Sequence, residues 1–229
     1  MAGRVEGKVA LVTGAGSVGP GWGNGKAAAV LYAREGAKVF AVDLNEDAAA
    51  ETVSLIEGEG GQAVRCRTDV SKARDVEAMV AACLKAFGRI DILHNNVGIV
   101  ELGGPVEASE ESWDRVNAVN LKSMFLTHKH VLPVMAGQAP NAAGARGAIV
   151  NISSVSGTRW SGVPYISYST TKGAIVPFTR SVAMEYAGQG IRANAVLPGL
   201  MNTPMIVEPL KDAYGKGDVQ EMVRVRDAQ

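Results

Sequence analysis

Cysteine is scarce in this chain of 229 residues, which has only Cys66 and Cys83. Both sit in apolar contexts and C-x-x-C spacing is absent, so neither a disulfide framework nor a paired redox motif is expected. The two read as reduced core or near-core residues of a cytoplasmic protein. Charge of one sign is also lacking, with 23 basic residues against 23 acidic. That balance argues against nucleic acid or an acidic surface as the main partner. No basic segment followed by a long apolar run opens the chain, and no window approaches the length of a membrane span. Neither a leader nor a membrane partner is expected, and no metal. No repeat or linker divides the chain either. The expectation is one domain over 1–229, long enough to bury about 70 % of its unfolded surface.

What is present is alternation. Apolar, β-rich runs at Lys8–Thr13, Lys38–Val42, Ala63–Cys66, Ile90–His94, Ala148–Ile152 and Arg192–Val196 alternate with helical stretches. The helices are expected over 26–34, from a cap at Asn45 to Glu57, from a cap at Ser71 to Phe87 with Gly88 as its stop, and from Ser109 to about Met135. Alternating strands and helices, joined by right-handed crossovers, predict an α/β fold. Its core is a doubly wound parallel sheet with helices on both faces and a ligand crevice at the strand carboxyl ends.

The most informative stretch is GAIVNISSVSGTRWSGVPYISYSTTK, from Gly147 to Lys172. Its strand ends at Ser153 and Ser154. Further on, Tyr168 and Lys172 lie four apart, on one face of an expected helix. A hydroxyl at a strand end, a phenol and an ammonium suit proton transfer to or from an alcohol or ketone oxygen. The ammonium is expected to lower the phenol's pKa, and the hydroxyl to stabilise charge on the reacting oxygen. The same spacing also occurs as a plain helix-face pair. Tyr165 is a decoy, because the residue four beyond it is Ser169.

Upstream, Gly14-Ala-Gly16-Ser17-Val-Gly19 fits G-x-G-x-x-G after a strand. Such glycines let a backbone approach a pyrophosphate, which a helix N-terminus then binds. The glycines that follow make a helix start at Gly19 poor. The reading is a longer loop, with Gly14 at the tight turn and Gly23-Asn24-Gly25 leading into the helix. Residues 18–22 form an added bulge, whose Trp22 covers the cofactor or packs on the next loop. Asp43, closing the second strand, is placed to accept hydrogen bonds from ribose hydroxyls and to repel a 2′-phosphate. NAD is therefore expected over NADP. Asp43 also suits a turn or a helix cap.

With these pieces in order, the chain resembles the short-chain dehydrogenase/reductase family over nearly its whole length. Thr13-Gly14 through Gly25 is similar to the family's glycine loop, with about five extra residues. Asn95-Asn96-Val97-Gly98 resembles N-N-A-G, Ile152-Ser153-Ser154 the serine motif, and Tyr168 to Lys172 Y-x-x-x-K. The resemblance implies Asn120, Ser154, Tyr168 and Lys172 as the catalytic group. Tyr168 would be the acid/base, and Asn120 would hold a water in a relay through Lys172; a buried helix asparagine bonded to backbone is the alternative. It implies a cofactor site of Gly14, Ser17, Gly23, Asn24, Gly25, Asp43, Asp69, Val70, Asn96, Val97, Gly98, Tyr168, Lys172, Pro198, Gly199 and Thr203.

The expected function is an oxidoreductase acting on CH–OH groups, moving a hydride between NAD(H) and a secondary alcohol or ketone. A non-catalytic NAD-binding redox sensor is the rival reading. Substrate-pocket candidates are Val100, Trp160, Val163, Leu200, Met201 and Met205, with Arg159 a polar contact or a surface residue. These favour a mostly apolar small molecule. The resemblance further implies a homotetramer or dimer through the helices at 109–135 and 165–187. The family's usual seventh strand is missing from the sequence. The stretch 200–229 looks like the substrate-loop segment, the chain is expected to be incomplete, and the sixth strand is expected to be an uncovered edge.

Overall fold

The computed structural model describes residues 3–227; the domain span drawn over 1–229 includes residues 1, 2, 228 and 229, which lie outside them. Six strands form one parallel sheet. They are β1 (Val9–Thr13), β2 (Lys38–Asp43), β3 (Ala63–Arg67), β4 (Ile92–Asn95), β5 (Gly147–Ile152) and β6 (Ile191–Val196), in the order β3-β2-β1-β4-β5-β6. Helices α1 (Asn24–Arg34), α2 (Glu46–Gly58), α3 (Ala73–Phe87), α4 (Glu110–Asn117), α5 (Ser123–Gly137) and α6 (Ile166–Tyr186) alternate with them. Two more, α7 (Pro204–Gly215) and α8 (Val219–Asp227), follow β6.

Both faces of the sheet are covered because successive side chains of a strand point to opposite sides. Leu11, Phe40, Val42, Leu93 and Ile149 enter one core with residues of α3, α5 and α6. Their neighbours Ala10, Val12, Val39, Ala41 and Ile92 enter the other, with residues of α1 and α2. The chain order reverses between β1 and β4, so the loops after these strands diverge and open a crevice at their carboxyl ends. Strand β6 pairs with β5 and forms that end of the sheet among the described residues. Its Arg192, Asn194 and Val196 are exposed.

The local start and stop signals act largely as their chemistry requires. Asn45 Oδ1 accepts the backbone N–H groups of Asp47 and Ala48 at the head of α2. Ser109 Oγ accepts Ser112 N–H, and Gly88 closes α3 at φ 78°. Gly23 precedes α1, as the long-loop reading requires.

Two expectations fail. Ser71 does not cap α3: its N–H and hydroxyl both donate to Asp69 Oδ1, and the position before the helix is Lys72. The Ser109–Met135 stretch is not one regular α-helix either. A π turn, Ala118–Lys122, separates α4 from α5. It places Asn120 fully inside the protein, where that side chain finds a backbone partner across the loop after β4.

Candidate active site

The crevice is a cleft of about 550 Å³ at the carboxyl ends of the strands. Its floor comes from the loops that leave each strand. Gly14 follows β1 at φ 65°, a left-handed conformation natural to glycine. Asn96 follows β4; its Nδ2 donates to Gly14 O (3.0 Å), and its own N–H donates to Thr13 Oγ1 (3.3 Å). Space at this turn is tight, since a Cβ on Gly25 would lie 1.8 Å from Gly14 O. Ser17 projects a buried Oγ with no hydrogen-bond partner among the described residues. A serine hydroxyl left unpaired beside backbone amides at the start of α1 is suited to a phosphate oxygen.

Asp43, at the end of β2, is fixed from two sides. Gly16 N–H donates to Oδ2 and Asn45 N–H to Oδ1, each at 2.9 Å. So Asp43 does serve the turn, and it also lines the cleft. Asp69, Val70, Val97, Gly98, Pro198, Gly199 and Thr203 line it too, with Gly14, Ser17, Gly23, Asn24, Gly25 and Asn96. The whole cofactor set named from sequence therefore shares one cavity.

Residues 18–22 form an outer flap on the glycine loop. Val18 and Trp22 are exposed, while Lys26 is buried beneath. Its Nζ donates to Gly21 O (3.3 Å), pairs with Glu51 (2.6 Å) and lies 5.5 Å from the Trp22 ring centre. Trp22 does not line the cleft; it is half-exposed and its ring lies over Lys26 of α1. On the other side, a Cβ on Gly19 would touch Pro204 of α7 at 3.3 Å.

Ser154, Tyr168 and Lys172 line the opposite end of the cleft. The two serines divide their tasks. Ser153 Oγ donates to Lys172 O (2.6 Å) and ties α6 to β5. Ser154 is hydrogen-bonded to the Tyr168 hydroxyl and accepts Ser156 N–H (3.2 Å). Lys172 Nζ donates to Ile152 O (2.8 Å) and lies 5.8 Å from the Tyr168 ring centre.

The electrostatics correct one expectation. Burial pushes the Tyr168 phenol up, the Ser154 hydrogen bond opposes this in part, and Tyr165 adds to the rise. Burial also lowers Lys172 to about 8. The ammonium is thus retained at neutral pH, but burial is the largest influence on Tyr168 and leaves its phenol above the ordinary value.

Asn120 does not line the cleft, but stands just behind it. Its Oδ1 accepts Ile99 N–H (2.8 Å), and its Nδ2 donates to Ile99 O (3.0 Å) and to Thr171 Oγ1 (3.3 Å). Its side chain is the buried asparagine bonded to backbone, clamping the loop after β4 against α6.

Of the substrate-pocket candidates, two line the cleft. Met201 and Met205 line the cleft, joined by Ile99 and Ile206, which sequence reasoning missed. Val163 is buried with Tyr165, Tyr168, Ile206, Leu210 and Met222, and Val100 packs against that cluster. Leu200 does not line the cleft, Trp160 is 73 % exposed, and Arg159 is a surface residue.

Sequence reasoning also missed the polar layer beneath the site. Asn95 Nδ2 donates to Asn151 Oδ1 and Asn151 Nδ2 to Thr179 Oγ1, each at 2.9 Å. His128 Nδ1 lies 2.7 Å from Met124 O, which assigns the proton there. Its Nε2 can then accept from Asn151 Nδ2 (3.3 Å). Burial lowers His128 to about 4. Nothing in a lone histidine inside a helix signals such a partner set. Cys83 is inert, its thiol pushed up to about 12 by burial. Among the described residues no helix is long and apolar enough to cross a membrane, and no group of side chains could hold a metal ion.

Comparison with known proteins agrees with this geometry. The family model for short chain dehydrogenases matches residues 8–213. An uncharacterised oxidoreductase of Thermotoga maritima is 43 % identical over 207 residues, 90 % of this chain and 76 % of the relative. A cyclohexanol dehydrogenase of an Acinetobacter strain is 38 % identical over 210 residues, 91 % of this chain and 78 % of the relative. A crystal structure assigned to the short-chain dehydrogenase/reductases, from Burkholderia xenovorans, superposes with a TM-score of 0.90 at 46 % identity. It covers 99 % of this chain and 83 % of the other.

Proposed function

The chain belongs to the short-chain dehydrogenase family, and on that premise we propose that it interconverts a secondary alcohol and a ketone with NAD(H), Tyr168 being the acid/base. One observation carries the reading: Ser154, Tyr168 and Lys172 share a cleft with the glycine loop and Asp43. A redox sensor has use for the nucleotide half of that cleft only, so the second half favours an enzyme. The similarity to a cyclohexanol dehydrogenase and the apolar lining of Ile99, Met201, Met205 and Ile206 support a largely apolar alcohol.

The residues present fit a nicotinamide dinucleotide. The unpaired Ser17 hydroxyl and the amides at the start of α1 suit the pyrophosphate. Asp43, its carboxylate pinned by two backbone N–H groups, has lone pairs left for ribose hydroxyls and repels a 2′-phosphate, which favours NAD. When bound, the nicotinamide supplies the hydride in reduction and takes it up in oxidation.

The chain's own groups manage the proton. Burial keeps Tyr168 a neutral phenol, ready to donate to a ketone oxygen; in the reverse direction its phenolate accepts the alcohol proton. Ser154 donates to the same substrate oxygen and offsets the charge that builds there. Lys172, anchored on Ile152 O, supplies positive charge behind the ring.

The test is Tyr168→Phe, with NAD and NADP assayed in parallel on cyclohexanol and a panel of secondary alcohols. Turnover read as NADH absorbance should fall by about 10²- to 10⁴-fold, while calorimetric NAD affinity persists. Unchanged turnover rejects Tyr168 as the acid/base, and tighter binding of NADP rejects the cofactor assignment.

A further inference from the structure

No cation follows Tyr165 at helical spacing, since the residue four beyond it is Ser169. Its surroundings give it another role. The ring is buried and stands edge-on to Tyr168, with centroids 5.3 Å apart and planes at 78°. Its hydroxyl is bonded to Ser156 Oγ (2.9 Å) and to Ser161 Oγ. Ser156 in turn donates its backbone N–H to Ser154 Oγ, so Tyr165 and Ser154 are linked through one residue. The backbone is held as well. Gly103 N–H donates to Pro164 O (2.8 Å), and Ile166 N–H donates to Gly103 O (2.9 Å). These bonds pin the loop after β4 to the start of α6.

We propose that Tyr165 is a positioning residue for the reaction: its anchored ring sets the angle of the Tyr168 phenol, and its hydroxyl carries the state of the Ser156–Ser161 loop to that phenol. This rests on the reading of Tyr168 as the acid/base.

Three features make the assignment specific. Tyr168 has the Lys172 ammonium 5.8 Å from its ring centre, and the Tyr165 ring is its aromatic neighbour. An edge-to-face pair fixes the relative tilt of two rings better than aliphatic packing does. Tyr165 and Tyr168 also belong to one apolar cluster with Ile206, Leu210 and Met222 of α7 and α8. A shift of those helices is therefore felt by both rings together. Lastly, Tyr165 raises the Tyr168 pKa, so the pair is electrostatically as well as sterically linked.

The experiment uses the full chain carrying [¹³Cζ]tyrosine, titrated by NMR with NAD present, beside cyclohexanol turnover. The variants are Tyr165→Phe, Tyr165→Leu and Ser161→Ala. The Tyr168 signal is identified by its loss in Tyr168→Phe. In Tyr165→Phe the ring stays and the hydroxyl goes. Its Tyr168 midpoint should fall, and kcat should drop by about three- to tenfold, with the NAD KM within about twofold. Tyr165→Leu should lose more kcat, and Ser161→Ala should fall between wild type and Tyr165→Phe. A Tyr168 midpoint and a kcat that both stay at wild-type values in Tyr165→Phe and Ser161→Ala overturn the proposal. The NMR titration reads the ring pair whether or not an alcohol is turned over. If Tyr168→Phe kept full activity, the assignment of the acid/base would fall while the measured coupling stood.

Discussion

Replacing Asn120 with alanine separates two ways in which an asparagine in the π turn can matter. The side chain is fully buried and makes three hydrogen bonds. Alanine strands the N–H and the C=O of Ile99, each of which costs about 1–3 kcal/mol when left unpaired away from water. Thr171 is less affected, because its hydroxyl already donates within α6 to Ser167 O (2.8 Å) and Tyr168 O (2.9 Å). Ile99 is half-buried, so the lower part of the range applies to each group and the sum is about 2–4 kcal/mol. For a chain of this size that corresponds to a fall in Tm of about 5–15 °C. Asn120→Asp refines the test: a carboxylate still accepts Ile99 N–H but has no proton for Ile99 O. It should therefore destabilise as well, despite near-identical shape. Calorimetry and urea titration read both variants. A Tm for Asn120→Ala within about 2 °C of wild type, with activity lost, would refute the clamp and return the residue to a purely catalytic relay.

Two further outcomes follow from the geometry. Gly25→Ala would put a methyl group 1.8 Å from Gly14 O and 2.5 Å from Asn96 Nδ2, so the glycine loop must open. A cost of about 1–3 kcal/mol and weakened NAD binding are expected by calorimetry, whereas Gly58→Ala, with nothing within 4 Å, should be neutral or slightly stabilising; equal effects would refute the crowding argument. His94 and His128 are both lowered by burial from 6.5 to about 4, so both are neutral in the folded chain at neutral pH. The unfolded chain takes up protons that the folded one does not, so the stability present above pH 6.5 is lost as pH falls toward 4. The limiting slope is about 2.7 kcal/mol per pH unit for the pair. Urea midpoints at pH 7, 6 and 5 should fall in step, and a flat series would show that the histidines are not buried neutral.

How far local chemistry carries is visible at particular residues. Asn45, Gly88 and Ser109 act as caps or stops in the structure because capping involves only the next few residues. The late start of α1 was readable for the same reason, since a run of glycines cannot begin a helix cheaply. Ser71 misled because its N–H and hydroxyl both donate to Asp69, two residues back, whereas a cap needs its oxygen to accept a helix N–H. The π turn was invisible, because what stabilises it is the bond from Asn120 to Ile99, a residue 21 positions away. Trp160 looked like a pocket residue by composition, but only the path of its loop decides which way it faces.

By itself the amino-acid order determined the alternation of strands and helices, the turn chemistry after each strand and the identity of the groups at the strand ends. These depend on periodicity and on neighbours within a few bonds. Tertiary structure alone decided the electrostatic state of those groups. Tyr168 and Lys172 are four apart in any helix, but their pKa directions follow from how much water the α7–α8 side and the sheet exclude. Desolvation sums over every atom nearby, whatever its position in the chain, and no local pattern encodes that sum.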